Sequence, residues 1–130
     1  MKNLTIYFFL FCLCMLGHVS GSGIRIMNEL KNKKTIWMRC SSKEDVLGPT
    51  VIPSGGEFVN NFNRNIFGRT RFMCTIKQGP TFKRILNFRA FKEGGKWDWR
   101  VREDGIYLKR TVGRFTNSTE DLHKDLDWIV

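Results

Sequence analysis

Apolar residues recur at every second position along most of the chain beyond residue 23. The alternation is clearest in two runs, which place on one side Ile36, Met38 and Cys40, and Phe72, Cys74 and Ile76. A period of two is typical of a half-buried strand, whose successive side chains point to opposite faces of a sheet. No run longer than one turn follows the period of about 3.6 residues that marks a helix.

Further runs of this kind are separated by residues that favour turns. The runs cover residues 24–30, 58–62, 82–91, 97–101 and 106–108. Glycine, proline and aspartate mark the turns between them, at Gly55-Gly56, Gln78-Gly79-Pro80, Gly94-Gly95 and Asp104-Gly105. This pattern predicts an all-β fold, a small antiparallel β-sandwich of about seven to eight short strands over residues 23–115. Residues 116–130 are polar and acidic, and we expect a mobile tail or a short helix there.

The first 22 residues have a different composition. Lys2 precedes an apolar run at residues 4–16, and small, mildly polar residues follow at 17–22. This order predicts a signal peptide over residues 1–22, cleaved near Ser22. An uncleaved anchor is the alternative, but a membrane-spanning helix needs about 20 apolar residues. We therefore expect a secreted, extracellular protein with no transmembrane segment after the signal is removed.

Signal removal also takes away two of the four cysteines and leaves Cys40 and Cys74. In an oxidising compartment, two cysteines on neighbouring apolar strands are expected to form a disulfide. Two buried free thiols and a bond between two chains are the alternatives. Two thiols and His123, the one histidine beyond the signal, do not make a zinc site, so we expect no metal and no cofactor.

Several stretches resemble one known family when they are taken in order. They are residues 28–30, residues 38–45 followed by Leu47-Gly48, residues 67–70 leading to Phe72-Met73-Cys74, and residues 99–107. The chain resembles the plant self-incompatibility proteins, the secreted S-protein homologues. The resemblance implies a small secreted β-sandwich that acts as an extracellular protein ligand; in poppy-type self-incompatibility, such a protein meets a pollen membrane receptor and triggers rejection of self pollen. Many members carry a second cysteine pair before the tryptophan-rich strand, and this chain has none there.

Catalytic motifs are absent from the sequence, so we predict that the protein is not an enzyme. The paired carboxylates Glu44/Asp45 and Glu103/Asp104 fall in turns, where solvated side chains are the usual occupants. The leading hypothesis is a monomeric ligand in cell–cell signalling, with rejection of self pollen as its narrowest form. We expect a cell-surface receptor protein to bind the inter-strand loops at residues 42–53, 60–69, 91–96 and 102–106.

Basic residues outnumber acidic ones by 22 to 12, which gives a formal net charge of +10. Basic side chains on the side of a strand opposite its buried apolar residues are expected to face water. The candidates for partner binding are Arg100, Arg102 and Arg110. Such a face would attract an acidic wall polysaccharide, a negative membrane surface or an acidic receptor loop. A cationic wall- or membrane-binding defence protein is therefore the alternative function, and a surface that serves only solubility is the plainer interpretation. The secretion signal argues against nucleic acid as a partner.

Tryptophans and one glycosylation motif complete the candidate sites. Trp37 lies opposite the face of Cys40, so we expect it to be an exposed contact, whereas Trp97 and Trp99 share one face and are either core or a ligand shelf. Trp128-Ile129-Val130 either docks on the sandwich or is disordered. Asn117-Ser118-Thr119 is an acceptor for an N-linked glycan at Asn117.

Overall fold

A computed structural model of the chain describes residues 21–62, 71–92, 94–111 and 113–128. Residues 1–20 of the predicted signal peptide, most of the loop at 60–69 and Ile129-Val130 lie outside these residues. The described residues form nine strands and no helix, so none of them spans a membrane as a helix. The strands are β1 (Ser22–Asn28), β2 (Ile36–Ser41), β3 (Val46–Ile52), β4 (Glu57–Phe62), β5 (Arg71–Gln78), β6 (Arg84–Lys92), β7 (Lys96–Arg102), β8 (Gly105–Thr111) and β9 (His123–Leu126).

Two sheets face each other, and the predicted all-β sandwich is confirmed. One sheet has five strands in the order β4-β1-β7-β8-β9, and the other has four in the order β3-β2-β5-β6. Every recorded strand pair is antiparallel except β1 with β7. Parallel neighbours need a long connection, and here the connection contains the whole four-stranded sheet.

The alternating apolar residues fill the space between the sheets. Ile24 and Ile26 of β1, and Ile36 and Met38 of β2, are fully buried. Trp99 is also buried, and its indole Nε1 donates a hydrogen bond of 2.9 Å to the carbonyl oxygen of Ala90. Trp97 packs against this core from the side, so the two tryptophans belong to the core and not to a ligand shelf.

The cysteines form the predicted bridge. Cys40 of β2 and Cys74 of β5 lie directly opposite each other in neighbouring strands and are joined as a disulfide, 34 residues apart in the sequence. The bond lies within one chain, which excludes the two alternatives. It ties together the two central strands of the four-stranded sheet.

The prediction that residues 42–53 form a loop is wrong for most of its length. Residues 42–45 form a turn, but β3 then pairs with β2 along the sheet edge. Gly48 adopts a φ of 84°, and the register shifts between Met38 and Cys40 at this point. An edge strand tolerates Gly48-Pro49 because proline there removes no hydrogen bond from a central ladder, so two turn-forming residues did not end the strand.

The prediction of a mobile or helical tail is also wrong. β9 pairs with β8 as the fifth strand, and Trp128 Nε1 donates a hydrogen bond of 2.8 Å to the carbonyl oxygen of Arg102. All four residues of β9 are exposed, so this strand has no apolar alternation for a sequence pattern to reveal. Its backbone passes so close to Gly105 that a Cβ there would lie 2.2 Å from the carbonyl oxygen of Leu126.

Candidate recognition surfaces

The outer face of the four-stranded sheet, which we call the bare face, is rich in basic side chains. Its four strands contain no aspartate and no glutamate. Arg39, Arg71 and Arg89 point outward and are exposed. Within the described part of the chain, no carboxylate forms an ion pair with any of these three. Among the described residues, these three arginines therefore present positive charge that no carboxylate neutralises.

Trp37 lies on the bare face, on the side of β2 opposite Cys40, as the alternation indicates. It is half-buried and pairs with Val51 on β3 and with Lys77 on β5. The Lys77 Nζ lies 4.6 Å from the centre of the indole ring, a cation–π contact. The indole ring of Trp37 and the ammonium group of Lys77 are thus in direct contact at the surface.

The outer face of the five-stranded sheet, which we call the covered face, carries an ionic cluster shielded from water. Its centre is Asp98, which is fully buried on β7. Arg25 of β1 donates to both carboxylate oxygens, at 2.6 Å from Nη2 and 3.2 Å from Nε. Arg100 donates from Nε and Nη2, both at 3.2 Å. A buried carboxylate needs such partners, because an unpaired charge in the interior is costly.

Residues 113–120 shield this cluster from solvent. The carbonyl oxygen of Thr116 accepts hydrogen bonds from the guanidinium groups of Arg25 and Arg100. The Phe115 ring centre lies 5.1 Å from Arg25 Cζ and 5.3 Å from Lys96 Nζ. Burial beneath this segment lowers the pKa of the Lys96 amine, since desolvation disfavours its charged form.

Lys109 of β8 binds the same segment. Its Nζ donates to the hydroxyl oxygen of Thr116 at 3.0 Å and to the carbonyl oxygen of Ser118 at 3.1 Å. Asn117, between these two partners, is exposed. A glycan on Asn117 would project into solvent, and its presence stays a prediction.

The expectation that Arg100 faces water is wrong. Arg100 does point away from the core between the sheets, but it is only 2% exposed because residues 113–120 cover it. Burial alone would lower the pKa of its guanidinium, but hydrogen bonds and charge interactions with Asp98 and Glu29 outweigh burial and raise it. Arg100 is therefore a structural cation and cannot contact a partner directly.

Arg102 and Arg110 lie at opposite ends of the β7–β8 hairpin and do not form one patch with each other. Arg102 is half-buried, and its Nε donates to Glu29 at 2.7 Å while its guanidinium lies over the Tyr107 ring. Arg110 is exposed, and its Cζ lies 4.2 Å from the centre of the Trp97 ring. Of the three arginines proposed from the sequence, Arg110 is the most accessible.

The two ends of the sandwich differ in how their connections are held. One end, which we call the braced end, carries the connections at residues 29–35, 53–56, 79–83 and 103–104. Here Asn28 is buried, and its Nδ2 donates to the carbonyl oxygens of Lys34 and Ile52 at 2.9 and 3.0 Å. Its Oδ1 accepts from the backbone N–H of Leu30 at 2.9 Å. One side chain thus joins three segments of this end.

Glu103 is the second brace at this end. It accepts hydrogen bonds from the backbone N–H of Lys31 at 2.8 Å, from Lys34 Nζ at 2.9 Å and from Gln78 Nε2 at 3.1 Å. The bond from Lys34 is the main reason why the pKa of the Glu103 carboxyl lies below its ordinary value. The loop predicted at 102–106 is therefore a tight turn with a structural side chain, and it lies at the end opposite residues 42–45, 60–62 and 94–96.

An open depression of about 650 Å³ lies beside this brace. The hydroxyl of Tyr107 donates a hydrogen bond of 2.7 Å to the carboxylate of Asp104. This bond raises the pKa of the tyrosine and lowers the pKa of the carboxyl. Glu29 and Arg102 also line it. No group of histidine, cysteine and carboxylate side chains among the described residues is arranged to hold a metal ion.

The other end, which we call the open end, carries the turns at residues 42–45 and 94–95 and the strand ends at Phe62 and Arg71. Ser42 Oγ accepts from the backbone N–H of Asp45 at 3.0 Å and of Glu44 at 3.3 Å, so the first turn is held by its own residues. No recorded hydrogen bond between described residues joins it to the second turn. Parts of three predicted recognition loops meet at this end. Two of them are joined, because Lys96 Nζ donates a hydrogen bond of 2.7 Å to Asn61 Oδ1, whereas the turn at residues 42–45 shares no recorded side-chain hydrogen bond with the described part of either.

Asp98, Asn28 and Glu103 are among the structural polar residues that sequence reasoning missed. Asp98 occupies an outward position between two tryptophans, where a solvated carboxylate is the ordinary expectation. Nothing in the local pattern signals the segment that buries it. Asn28 and Glu103 lie within stretches that carry the family resemblance, and that was the one available indication that they matter.

These features define the class of protein, a small single-domain β-sandwich with a disulfide in one sheet and turns at both ends. The chain belongs to the family described as plant self-incompatibility protein S1, whose sequence model matches residues 23–128. The resemblance read from the sequence is thereby confirmed.

Individual relatives support this assignment. S-protein homolog 32 of Arabidopsis thaliana is 65% identical over 130 residues, covering 99% of this chain and 100% of the relative. S-protein homolog 22 of the same plant is 64% identical with the same coverage. A solved structure of SPH (Self-Incompatibility Protein Homologue) proteins, described as "a widespread family of small, highly stable, secreted proteins from plants", matches with a TM-score of 0.59 at 22% identity. That match covers 72% of this chain and 87% of the other and supports the fold.

Proposed function

We propose that this chain is secreted and acts as an extracellular protein ligand, which binds a cell-surface receptor protein through the open end of the sandwich. Membership of the plant self-incompatibility protein S1 family supports this function. The description of the solved homologues as secreted plant proteins, together with the apolar N-terminal segment, supports export. Rejection of self pollen is the narrowest form of the proposal.

The observation that carries the proposal is the contrast between the two ends. At the braced end, Asn28 and Glu103 are occupied by internal hydrogen bonds, so changes there would disturb the fold. At the open end, Lys43, Glu44 and Asp45 are exposed, and the turn is held through Ser42. Side chains that carry no structural load can vary between relatives without loss of folding, and recognition commonly lies in such loops on a rigid scaffold.

The proposal assigns binding, and not catalysis, to this surface. Acid–base or nucleophilic chemistry needs convergent groups, most often with a histidine. The sequence contains His18 and His123. His18 precedes the described residues, and His123 lies exposed on β9 at the edge of the five-stranded sheet, outside both turns of the open end.

A matched pair of charge reversals tests the proposal. Lys43→Glu changes the open end, and Lys83→Glu makes the same charge change at an exposed position of the braced end. Saturation binding of the labelled protein to intact pollen, pistil and root cells should show about tenfold weaker binding for Lys43→Glu, because one central contact commonly contributes that much. Lys83→Glu should bind like the unchanged protein.

Treating the cells with protease before binding identifies the receptor class. Loss of saturable binding after treatment is expected for a receptor protein, and binding restricted to pollen would favour the pollen-rejection role. Equal effects of the two lysine variants, or binding that survives protease treatment, would contradict recognition of a protein through the open end.

A further inference from the structure

Four basic side chains form a strip on the bare face. The register places one of them in each of four successive cross-strand rows: Lys77 beside Trp37, Arg39 beside Thr75, Arg89 beside Met73, and Arg71 beside Lys92. All four belong to β5 or to its immediate neighbours β2 and β6, and none belongs to β3, which has no charged residue. We call these four the basic strip.

The dimensions of the strip follow from strand geometry. Successive rows are two residues apart along a strand, or about 7 Å, so four rows extend over about 20 Å. Three adjacent strands span about 10 Å across. The cations therefore form a narrow band, longer than it is wide, that follows the direction of β5.

Apolar surface accompanies the cations along the band. Met73 and Val51 are 50% and 52% exposed, and the ring of Trp37 lies between Val51 and Lys77. A partner that offers both anionic groups and apolar faces at short intervals would match this alternation. A sugar ring with a carboxylate has both, since its C–H faces can rest on apolar side chains while arginine binds the carboxylate with two parallel hydrogen bonds.

We propose that the bare face binds a linear acidic polysaccharide built of uronic acid units, lying along the basic strip. Charge complementarity supports this occupant, because Arg39, Arg71 and Arg89 have no ion-pair partner among the described carboxylates, and β2, β3, β5 and β6 contain no acidic residue. This binding function goes beyond the receptor function and does not depend on it.

The shape of the face favours a polymer over a membrane surface. Neighbouring strands in a sheet are rotated by about 20–25° relative to one another. A plane that touches β5 therefore departs from the edges of the sheet, whereas a chain that runs along β5 stays in contact with successive rows. The exposed apolar side chains are also dispersed among the cations and do not form the continuous apolar face with which amphipathic segments enter a bilayer.

Polygalacturonate is the probe for the test, with its fully methyl-esterified form as the uncharged control polymer. Arg39→Gln/Arg89→Gln removes two outward cations from the middle of the strip. Arg110→Gln/Arg114→Gln removes the same charge from exposed positions outside the four-stranded sheet. Calorimetric titration at low salt should show binding of polygalacturonate that is about tenfold weaker in the first variant and less than about threefold weaker in the second.

Other results distinguish the outcomes. Binding should weaken as salt is raised, because exposed charges are screened, and the esterified polymer should not bind. Equal weakening in the two double variants would show attraction by net charge alone and would overturn the site. Tighter binding to phosphatidylserine vesicles than to polygalacturonate, lost in Arg39→Gln/Arg89→Gln, would assign the face to a membrane instead. Unchanged thermal unfolding of both variants confirms that the comparison reports binding; Lys43→Glu tests the receptor function separately.

Discussion

The two outer faces of the sandwich arise from the same alternation of residues, but their charged side chains differ in exposure to water. On the covered face, Asp98 is fully buried and Arg100 is 2% exposed. On the bare face, Arg39 and Arg89 occupy equivalent outward positions and are exposed. The charges at the centre of the covered face are therefore paired internally as part of the fold, whereas Arg39 and Arg89 of the bare face have no ion-pair partner among the described carboxylates.

A segment that lies later in the chain makes the difference. After β8, residues 113–120 lie over the outer face of the five-stranded sheet before β9 pairs with β8. No described segment crosses the bare face in this way. The contrast shows that a basic residue opposite a buried stripe is accessible only if nothing else packs on that side, so net charge alone does not locate a binding surface.

Breaking the ionic cluster of the covered face should have the largest effect. Asp98→Asn removes the central charge and leaves the guanidinium groups of Arg25 and Arg100 close together and largely desolvated. Removing one partner from a buried ion pair costs about 3–5 kcal/mol. Urea denaturation followed by tryptophan fluorescence should show a loss of this size in the free energy of unfolding.

Asp125→Asn is the control for this change, since Asp125 is an exposed carboxylate on β9. It should alter the free energy of unfolding by no more than about 0.5 kcal/mol. A loss below about 1 kcal/mol in Asp98→Asn would mean that the cluster is solvated, and the distinction between the two faces would fail.

The four-stranded sheet has no such cluster among its described residues, and its disulfide stabilises it instead. Replacing both Cys40 and Cys74 with alanine should lower the free energy of unfolding by about 2–4 kcal/mol, since the bridge restricts the unfolded chain over a separation of 34 residues. Denaturation of the double variant against the oxidised protein measures the difference. Equal stability would show that the bridge contributes nothing beyond the core packing.

Loosening the covering segment should have a smaller effect. Phe115→Ala removes a ring that lies over Arg25 and Lys96, and a partly desolvated cation–π contact is worth about 1–2 kcal/mol. Amide hydrogen exchange in β1 and β7 should accelerate together with this loss. Phe82→Ala, at an exposed turn, is the matched control and should leave exchange in β1 and β7 unchanged.

The sequence predicted the features that repeat locally and missed those that depend on distant segments. Period-two alternation identified the core strands, and the expected export compartment identified the Cys40–Cys74 bridge, because both follow from neighbouring residues or from cysteine number. β3 was assigned to a loop because Gly48-Pro49 is a turn signal, although an edge strand can accommodate it. β9 was missed since it buries no side chain.

The candidate site shows the same limit. Trp37 was placed correctly on an outer face, which needs only the parity of one strand. Arg100 has the same outward parity and is nevertheless buried, because its environment is set by residues 113–120. The basic strip was not found from the sequence, since Arg39, Arg71 and Arg89 come from three strands and become neighbours only through the register of the sheet.

A change at Glu103 should have the smallest effect on stability. Glu103 lies in the β7–β8 turn and links the two sheets at the braced end by accepting a hydrogen bond from Gln78 of β5. Its carboxyl pKa is lower in the folded protein than its ordinary value, mainly through Lys34. The folded protein therefore binds the proton less readily than the unfolded chain, so this stabilisation is full above roughly pH 4.3 and declines as the pH falls through the lowered pKa.

Because Glu103 is partly exposed, Glu103→Gln should cost only about 1 kcal/mol at neutral pH. Urea denaturation should show the difference from the unchanged protein shrinking below that pH, with Glu44→Gln silent throughout; a difference that is the same at acid and neutral pH would mean that the charge of Glu103 plays no part in joining the sheets.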